Sequence, residues 1–289
     1  KDIVVTANAS ESIFSVTAVG AVGGNAGIAG SVAVNVLTNT TKAYIEDATT
    51  ADNEAVVKAG NNVRIAAQDD TNLAIIAGGV GLAGVGAGIG GSVDVTVINK
   101  DTQAYVGKGA EVEALGDAPG DTQVVYAGTD NKTQTEGQRV TKSMQGLAIQ
   151  ATNEENVVDA VVAGGGALFA GIAGTVVTNV ITADTAAYIN DNAKVTAKDV
   201  SVTAVDDLKL FSASGAVGVG AAGLAGSFNV GVLLGDTTAY IGAAEVTAAN
   251  DVDVNALATK DINVNTVSAG GGLVGGQPGV AAADPAGQA

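Results

Sequence analysis

The sequence predicts an all-β protein: a parallel β-solenoid (β-helix) built from about four and a half Gly/Ala/Val-rich tandem repeats. Three observations favour this fold. One motif recurs four times, β-branched residues alternate with polar or small ones, and glycine is abundant where aromatic residues are scarce. Of the 289 residues, 41 are glycine and only 3% are aromatic, although 47% are hydrophobic. Repeats of this kind bury their apolar faces by stacking on their neighbours.

The recurring motif links a Ser or Thr to a Tyr thirteen positions later, with a Thr always three residues before that Tyr. Ser31 and Tyr44 are one such pair. The intervals between copies differ because the second interval carries about thirty extra residues. Four recurrences of one spacing indicate a tandem array. The tyrosines are Tyr44, Tyr105, Tyr188 and Tyr240, and the threonines are Thr41, Thr102, Thr185 and Thr237.

Each repeat has three predicted parts. The first is an alternating strand, as at residues 200–203, and the second is a long uncharged Gly/Ala stretch, as at 73–93. The third is Thr-x-Ala-Tyr-Ile, followed by a polar turn and a short strand such as Glu245–Ala248. Alternation at 217–220 places valines on one face and glycines on the other. A repeated glycine face predicts close approach of another backbone.

The domain organisation follows from the repeats. We expect residues 1–268 to form one elongated β-solenoid with a loop insertion at about 116–150. Residues 269–289 are predicted to be a Gly/Ala-rich tail that caps the solenoid or is disordered. A repeat of this length suits two coils, giving a rod on the order of 50 Å, but the sequence leaves the number of coils open. Because the chain opens at Lys1, we expect a processed chain or a segment of a larger one.

Missing residue types and charge exclude several function classes. The chain has no His and no Cys, so it lacks an imidazole base, a Ser-His-Asp triad, a thiol nucleophile and the usual zinc ligands. The net charge of −17 argues against nucleic-acid partners and against attraction to anionic lipid. An acidic surface suits oxygen-liganded cations such as calcium. Because the chain lacks an imidazole base and a thiol nucleophile, we expect a non-enzymatic protein.

The uncharged stretches permit a second interpretation. Residues 73–93 are long enough for a transmembrane helix with a small-xxx-small face. However, flanking Lys/Arg clusters and interfacial aromatic residues are missing, and glycine at this density disfavours a helix. The solenoid is the better prediction, and no membrane span is expected.

The Tyr and Thr ladders each have two interpretations. Stacked tyrosine rings could bind sugars or a partner, but recurrence in every repeat favours a packing position. The threonines could form a flat ice-binding array. Hydrogen bonding along the rod is the better explanation, because paired threonines on every coil are missing.

Acidic residues precede three of these threonines, at Asp101, Asp184 and Asp236. Stacked carboxylates repel unless they are solvated or bridged by a cation, so these positions predict either a calcium site or an exposed acidic turn. Calcium is the one cofactor considered. The acidic pairs at 69–70, 154–155 and 206–207 are interpreted as solvated turns between coils. Paired carboxylates can hydrolyse glycosides, but catalytic pairs do not normally recur in every repeat.

The insertion at 116–150 interrupts the repeat. It contains three basic residues and the one tyrosine outside the repeated motif. Excursions from a solenoid lie on one side and often bind partners. A partner contact or an ordinary surface loop are the two alternatives. The candidate contact residues are Tyr126, Lys132, Arg139 and Lys142.

The unit Ala-Gly-Ser-Val-x-Val-Asn-Val followed by Thr-x-Ala-Tyr-Ile resembles the repeats of very large secreted bacterial proteins. These are the leukotoxin-like filamentous adhesins and the filamentous-haemagglutinin-type exoproteins. The resemblance covers roughly residues 1–268. It implies export, a parallel β-helix rod and a role in attachment, cell–cell contact or matrix. Two functions remain: an extracellular structural or adhesive solenoid that meets a host or neighbouring cell surface, or a self-assembling fibre subunit that stacks head-to-tail through open ends.

Overall fold

The computed structural model describes residues 1–48, 55–128 and 140–272, and the backbone strand at 280–284. Two sheets of long strands and one sheet of short strands account for nearly all of this chain. Sheet 1 contains, in spatial order, β1 (Ile3–Gly23), β4 (Val63–Ala83), β9 (Gly146–Gly166), β12 (Asp199–Val219) and β16 (Val252–Gly271). Sheet 2 contains β2 (Ala26–Ile45), β5 (Ala87–Val106), β10 (Ala170–Ile189), β13 (Ala222–Leu234) and β17 (Val280–Asp284), and β14 (Thr237–Ile241) also pairs with β10. Sheet 3 contains β3 (Val56–Ala59), β6 (Glu111–Ala114), β11 (Lys194–Ala197) and β15 (Glu245–Ala248).

All three sheets are parallel, and each repeat forms one coil. Coil 1 runs from β1 to β3, coil 2 from β4 to β6, coil 3 from β9 to β11 and coil 4 from β12 to β15. Equivalent residues of the repeats pair directly, as in the register Ser31–Ser92–Thr175–Ser227. The predicted parallel β-solenoid is therefore confirmed.

The arrangement within a coil differs from the sequence expectation in two ways. Two coils per repeat, which the sequence left open, is excluded because β4 already pairs with β1 one repeat earlier. In sheets 1 and 2 the strands are also long rather than short, since eight of the eleven have 20 or 21 residues, and 21 residues span about 69 Å. The Gly/Ala stretch at 73–93 therefore spans the end of β4, a turn and the start of β5. From β1 to β16 the stack rises by about 19 Å.

Each coil has a wedge-shaped cross-section. Its core side chains become smaller towards the turn between the two long strands. Near sheet 3, Ile, Val, Leu and Ala side chains form the largest core cluster, which includes Ile65, Leu147 and Ile189. A second cluster of Leu, Ile and Val residues lies further along the wedge. Only alanines, such as Ala173 and Ala216, remain in the third cluster. The two long sheets thus converge towards the turn, which we call the apex.

Glycines at the apex bring the two sheets into backbone contact. A Cβ added at Gly81 would lie 2.0 Å from the carbonyl oxygen of Ile89, and one at Gly218 would lie 2.1 Å from that of Leu224. No side chain fits at such a separation, so these two positions require glycine. The predicted close approach of another backbone is confirmed.

The insertion forms an antiparallel hairpin of β7 (Gln123–Tyr126) and β8 (Thr141–Met144) on the outer face of sheet 1. Val125 and Met144 pack on Ala148 of β9. The coil resumes at Gly146, so the last residues of the predicted insertion belong to sheet 1. Beyond residue 268, β16 continues to Gly271 and β17 pairs with β13, which places a strand within the predicted tail.

Candidate functional site

The four tyrosines form a continuous stack on the outer face of sheet 2. Successive ring centroids lie 5.0, 4.8 and 5.0 Å apart, and adjacent ring planes differ by 6° or less. Tyr44 and Tyr240 at the ends of the stack are 40% and 45% exposed. Burial, followed by the adjacent Tyr105 and Tyr240, raises the pKa of Tyr188 to about 12. The ladder is thus an outward, partly exposed aromatic strip rather than a core position.

The threonine ladder points in the opposite direction. Thr41, Thr102 and Thr185 are buried inside the solenoid, so they do not form an exposed array. The hydroxyl of Thr41 donates a hydrogen bond to Asp69 Oδ2 at 2.9 Å. These threonine side chains therefore belong to the interior, whereas an ice-binding face needs them on the surface.

Asp101, Asp184 and Asp236, which we call the acidic ladder, lie on the outer face of sheet 2. They stand within strands or beside them, and not in turns between coils. Asp101 pairs with Lys42 at 2.9 Å and accepts a hydrogen bond from Gln103 at 2.6 Å. Asp184 accepts a 3.0 Å hydrogen bond from the backbone amide of Asp236. Across residues 1–48, 55–128 and 140–272, no three acidic side chains gather into a metal-binding group. Calcium at these positions stays a prediction.

The acidic pairs were wrongly interpreted as solvated turns. They lie in the middle of the long strands of sheet 1, where one member of each pair points inward. Asp69, Glu155 and Asp206 are at most 2% exposed. The signal was available in the alternation, because Val63, Ile65 and Ala67 place Asp69 on the inward face.

One buried lysine neutralises part of this interior charge. The ammonium of Lys100, on β5, pairs with Asp69 and with Glu11 Oε2, the latter at 2.7 Å. The side chains of Lys100 and Asp69 have no exposed surface. Asn39 Nδ2 donates hydrogen bonds to Glu11 Oε1 at 2.8 Å and to Asp69 Oδ2 at 2.6 Å. This layer is an ion-pair network enclosed between coils 1 and 2.

The next carboxylate along the interior is less well compensated. Glu155 accepts a hydrogen bond from Asn153, which also donates to Asp206 at 2.9 Å. Burial, followed by the charge of Asp206, raises the pKa of Glu155 to about 8. Burial alone pushes a carboxyl group towards its neutral form, so Glu155 holds its proton near neutral pH.

The outward members of the acidic pairs line a groove of about 370 Å³ on the outer face of sheet 1. Asp70, Glu154 and Asp207 occupy directly paired positions on neighbouring strands of coils 2, 3 and 4. Lys209 and Asp261 also border the groove. The groove is polar and open, and its acidic members repeat from coil to coil.

The hairpin residues are divided between described and undescribed parts of the chain. Lys142 forms an ion pair with Asp253 of β16. The carbonyl of Tyr126 accepts a hydrogen bond from Thr203 at 3.4 Å. Both residues therefore anchor the hairpin to sheet 1. Lys132 and Arg139 lie outside the described residues.

An apolar face covers the outer side of sheet 2 towards the apex. Sequence analysis missed it because the uncharged stretches were considered only as strand core or membrane helix. Its outward side chains include Ile28, Val32, Val34 and Val36, which are 62–68% exposed. In coils 3 and 4, Val176 and Phe228 continue it at 43% and 51% exposure. In β2, β5, β10 and β13 no charged side chain points outward within this face, and across these four strands it measures roughly 30 Å by 14 Å.

Among the described residues, no helix is long and apolar enough to cross a membrane. The membrane-helix alternative is wrong for residues 73–93, since they form β4 and β5. Comparison with family models, with curated proteins and with solved structures gave no match.

Proposed function

We propose that this chain is a non-enzymatic structural and adhesive β-solenoid that works outside the cell, as a scaffold for attachment or cell–cell contact. The observation that carries this proposal is the apolar face. Exposed contiguous apolar surface of several hundred Å² is typical of interaction sites. Here it is presented on long, parallel-paired strands, which hold it rigid. The extracellular location rests on the resemblance of the repeats to those of secreted adhesins.

Adhesion is tested with beads that carry the chain covalently. We expect such beads to clump or to adhere to cell surfaces, and Val34→Lys/Val36→Lys to reduce adhesion at least about tenfold, because two desolvated charges oppose contact. Thr38→Lys/Thr40→Lys is the matched control, since both side chains point outward from the same strand beyond the apolar face. Equal adhesion of the two variants, or none by the wild type, would contradict the proposal.

The extracellular location has its own test. Antibodies raised against the chain should label intact, non-permeabilised cells of the source organism. Labelling that requires permeabilisation would contradict that part of the proposal, while leaving the bead result unaffected.

A self-assembling fibre is the second candidate. In the described residues, β1 and β2 pair with other strands on one side only. Unpaired edges of 21 and 20 residues are templates for a further strand. Sedimentation velocity of this chain at rising concentration should then show a series of growing oligomers. A single monomer boundary at every concentration would contradict the fibre.

A further inference from the structure

A second polar layer lies inside coils 2 to 4, where its side chains alternate with members of the Leu/Ile/Val cluster, as Asp159 does between Val157 and Val161. We call it the inner carboxylate layer. Each of its side chains is at most 1% exposed. Asp94 and Asn179 belong to sheet 2, and Asp159 faces them from sheet 1. The full set is Asp94, Thr96, Asp159, Asn179, Ser212 and Asn229.

The hydrogen bonds of this layer leave most of its oxygen atoms unused. Asn179 Nδ2 donates to Asp159 Oδ2 at 2.7 Å, and Asn229 Nδ2 donates to Ser212 Oγ at 2.7 Å. The remaining oxygens are buried without a hydrogen-bond partner. They are Asp94 Oδ1 and Oδ2, Asp159 Oδ1, Asn179 Oδ1, Asn229 Oδ1 and Thr96 Oγ1. Six buried oxygens of this layer thus have no protein partner within hydrogen-bond geometry, although Thr96 lies beside Asp94 and Ser212 beside Asp159, and buried polar atoms nearly always bind protein, water or an ion.

The charge of the layer is also uncompensated. Neither Asp94 nor Asp159 forms an ion pair within the described chain. Lys100 is committed to Asp69 and Glu11 one layer away. Burial raises the pKa of Asp94 to about 7, with the charge of Asp159 adding to the effect, and burial raises the pKa of Asp159 to about 6. The fold thus neutralises one carboxylate layer with a lysine and supplies no such group to the other.

We propose that the inner carboxylate layer binds one divalent cation of the calcium class, with Asp94, Asp159 and Asn179 supplying oxygen ligands. Calcium takes carboxylate, amide and hydroxyl oxygens in flexible geometry, and these are the atoms left unpartnered here. Magnesium retains its water and requires strict octahedral geometry, so it is a poorer fit in a layer enclosed between two sheets. Soft metals prefer the thiolate and imidazole ligands that this chain lacks.

This site is separate from the outer acidic ladder. Asp184 and Asp236 lie outside the solenoid, where water can solvate their charges. The inner layer is enclosed by sheets 1 and 2, so a cation must enter as the coils stack. Metal binding and folding are therefore coupled, and the bound ion exchanges slowly in the folded chain.

The test is to refold the chain in EDTA, in CaCl2 or in MgCl2, remove free ions by gel filtration, and measure bound metal by elemental analysis. We expect about one calcium per chain, and a melting temperature at least about 3 °C higher after refolding in calcium than in EDTA. Asp94→Asn/Asp159→Asn should lose both the bound calcium and the shift. Asp184→Asn/Asp236→Asn is the matched control, since it removes two acidic charges from the outer ladder, and it should retain both.

Four results would overturn the proposal. These are no calcium on the wild type, calcium retained by the inner variant, calcium lost from the outer variant, and an equal effect of MgCl2. Should the double inner variant fail to fold, Asp94→Asn alone takes its place, because it removes only one of the two charges and keeps the side-chain shape.

Discussion

Gly90 and Gly91 are adjacent in β5, yet an added methyl group would meet opposite surroundings at the two positions. A Cβ at Gly90 would lie 2.0 Å from the carbonyl oxygen of Gly164, whereas at Gly91 the nearest atom would be the carbonyl oxygen of Ala29 at 4.0 Å. The first points between the converging sheets, and the second points outward. Packing between the sheets therefore requires glycine at position 90, whereas it sets no such requirement at position 91.

Gly90→Ala should destabilise the fold by about 3 kcal/mol, because the two sheets must separate to admit the methyl group. Gly91→Ala should be neutral or stabilising by about 0.5 kcal/mol, because alanine loses less backbone entropy. Urea unfolding monitored by circular dichroism measures both. Equal destabilisation by the two variants would show that the sheets do not meet at the apex.

Lys100→Met should cost about 3–5 kcal/mol, because it leaves the carboxylate of Asp69 buried without its cation. Lys100→Met/Asp69→Asn should recover most of that loss, since the double variant removes the buried charge together with its partner. The free energy of unfolding of four proteins, the wild type, Lys100→Met, Asp69→Asn and the double variant, is measured in urea to test this coupling. Additive losses would mean that the two side chains do not interact.

Asp94 predicts a pH dependence in protein refolded in EDTA. Its pKa is raised from 3.8 to about 7, so the folded chain holds a proton that the unfolded chain releases. The resulting stabilisation is complete below pH 3.8 and is lost as the pH rises to about 7. Asp94→Asn cannot ionise, so its free energy of unfolding should fall less steeply between pH 4 and 8.

Asp184→Asn serves as the control for this titration, because the Asp184 carboxylate lies on the outer ladder. A wild-type slope in Asp94→Asn would place the titrating group elsewhere.

The tyrosine stack contributes to stability through ring contacts. Tyr105→Ala removes two stacked pairs and should cost about 1–2 kcal/mol, reduced from the buried value because the strip is partly exposed. Tyr105→Phe preserves the rings and should be nearly neutral. Chemical unfolding distinguishes these results, and equal losses would assign the effect to the hydroxyl instead.

Alkaline titration provides a separate check of the stack. The pKa of Tyr188 is raised from 10.0 to about 12, so the stabilisation that this residue gives is present below pH 10 and is lost as the pH rises to about 12. Tyrosinate absorbance should show a component that titrates near pH 12. That component should disappear in Tyr188→Phe.

Much of the fold was predictable because the same residue pattern occurs in each of the repeats. Period-two alternation located the strands, and the Gly face at 217–220 correctly indicated backbone contact. The number of coils was not predictable, since a turn as short as Gly24–Asn25 is hidden inside an uncharged stretch and makes two long strands look like one segment. The register of the repeats fixes one coil per repeat only once the pairing of β1 with β4 is known.

The site was less predictable than the fold. An acidic pair within a sequence is typical of a solvated turn, whereas Asp69 and Asp206 are enclosed by the sheets. Their burial depends on partners that are distant in sequence, since Lys100 contacts Asp69 across 31 positions and Asn153 contacts Asp206 across 53. The inner carboxylate layer combines two residues from each of three coils, and their types differ from coil to coil, so no repeated motif indicates it.

One coil per repeat is tested most directly by the distance between two spin labels. The chain contains no native cysteine, so Thr38→Cys/Leu234→Cys gives two unique attachment points on the outer face of sheet 2. These positions are three pairings apart through Asn99 and Thr182. A single coil per repeat predicts a backbone separation of about 14 Å, and electron–electron dipolar coupling should report that short distance. A separation of about 29 Å would mean two coils per repeat and would contradict the fold described above.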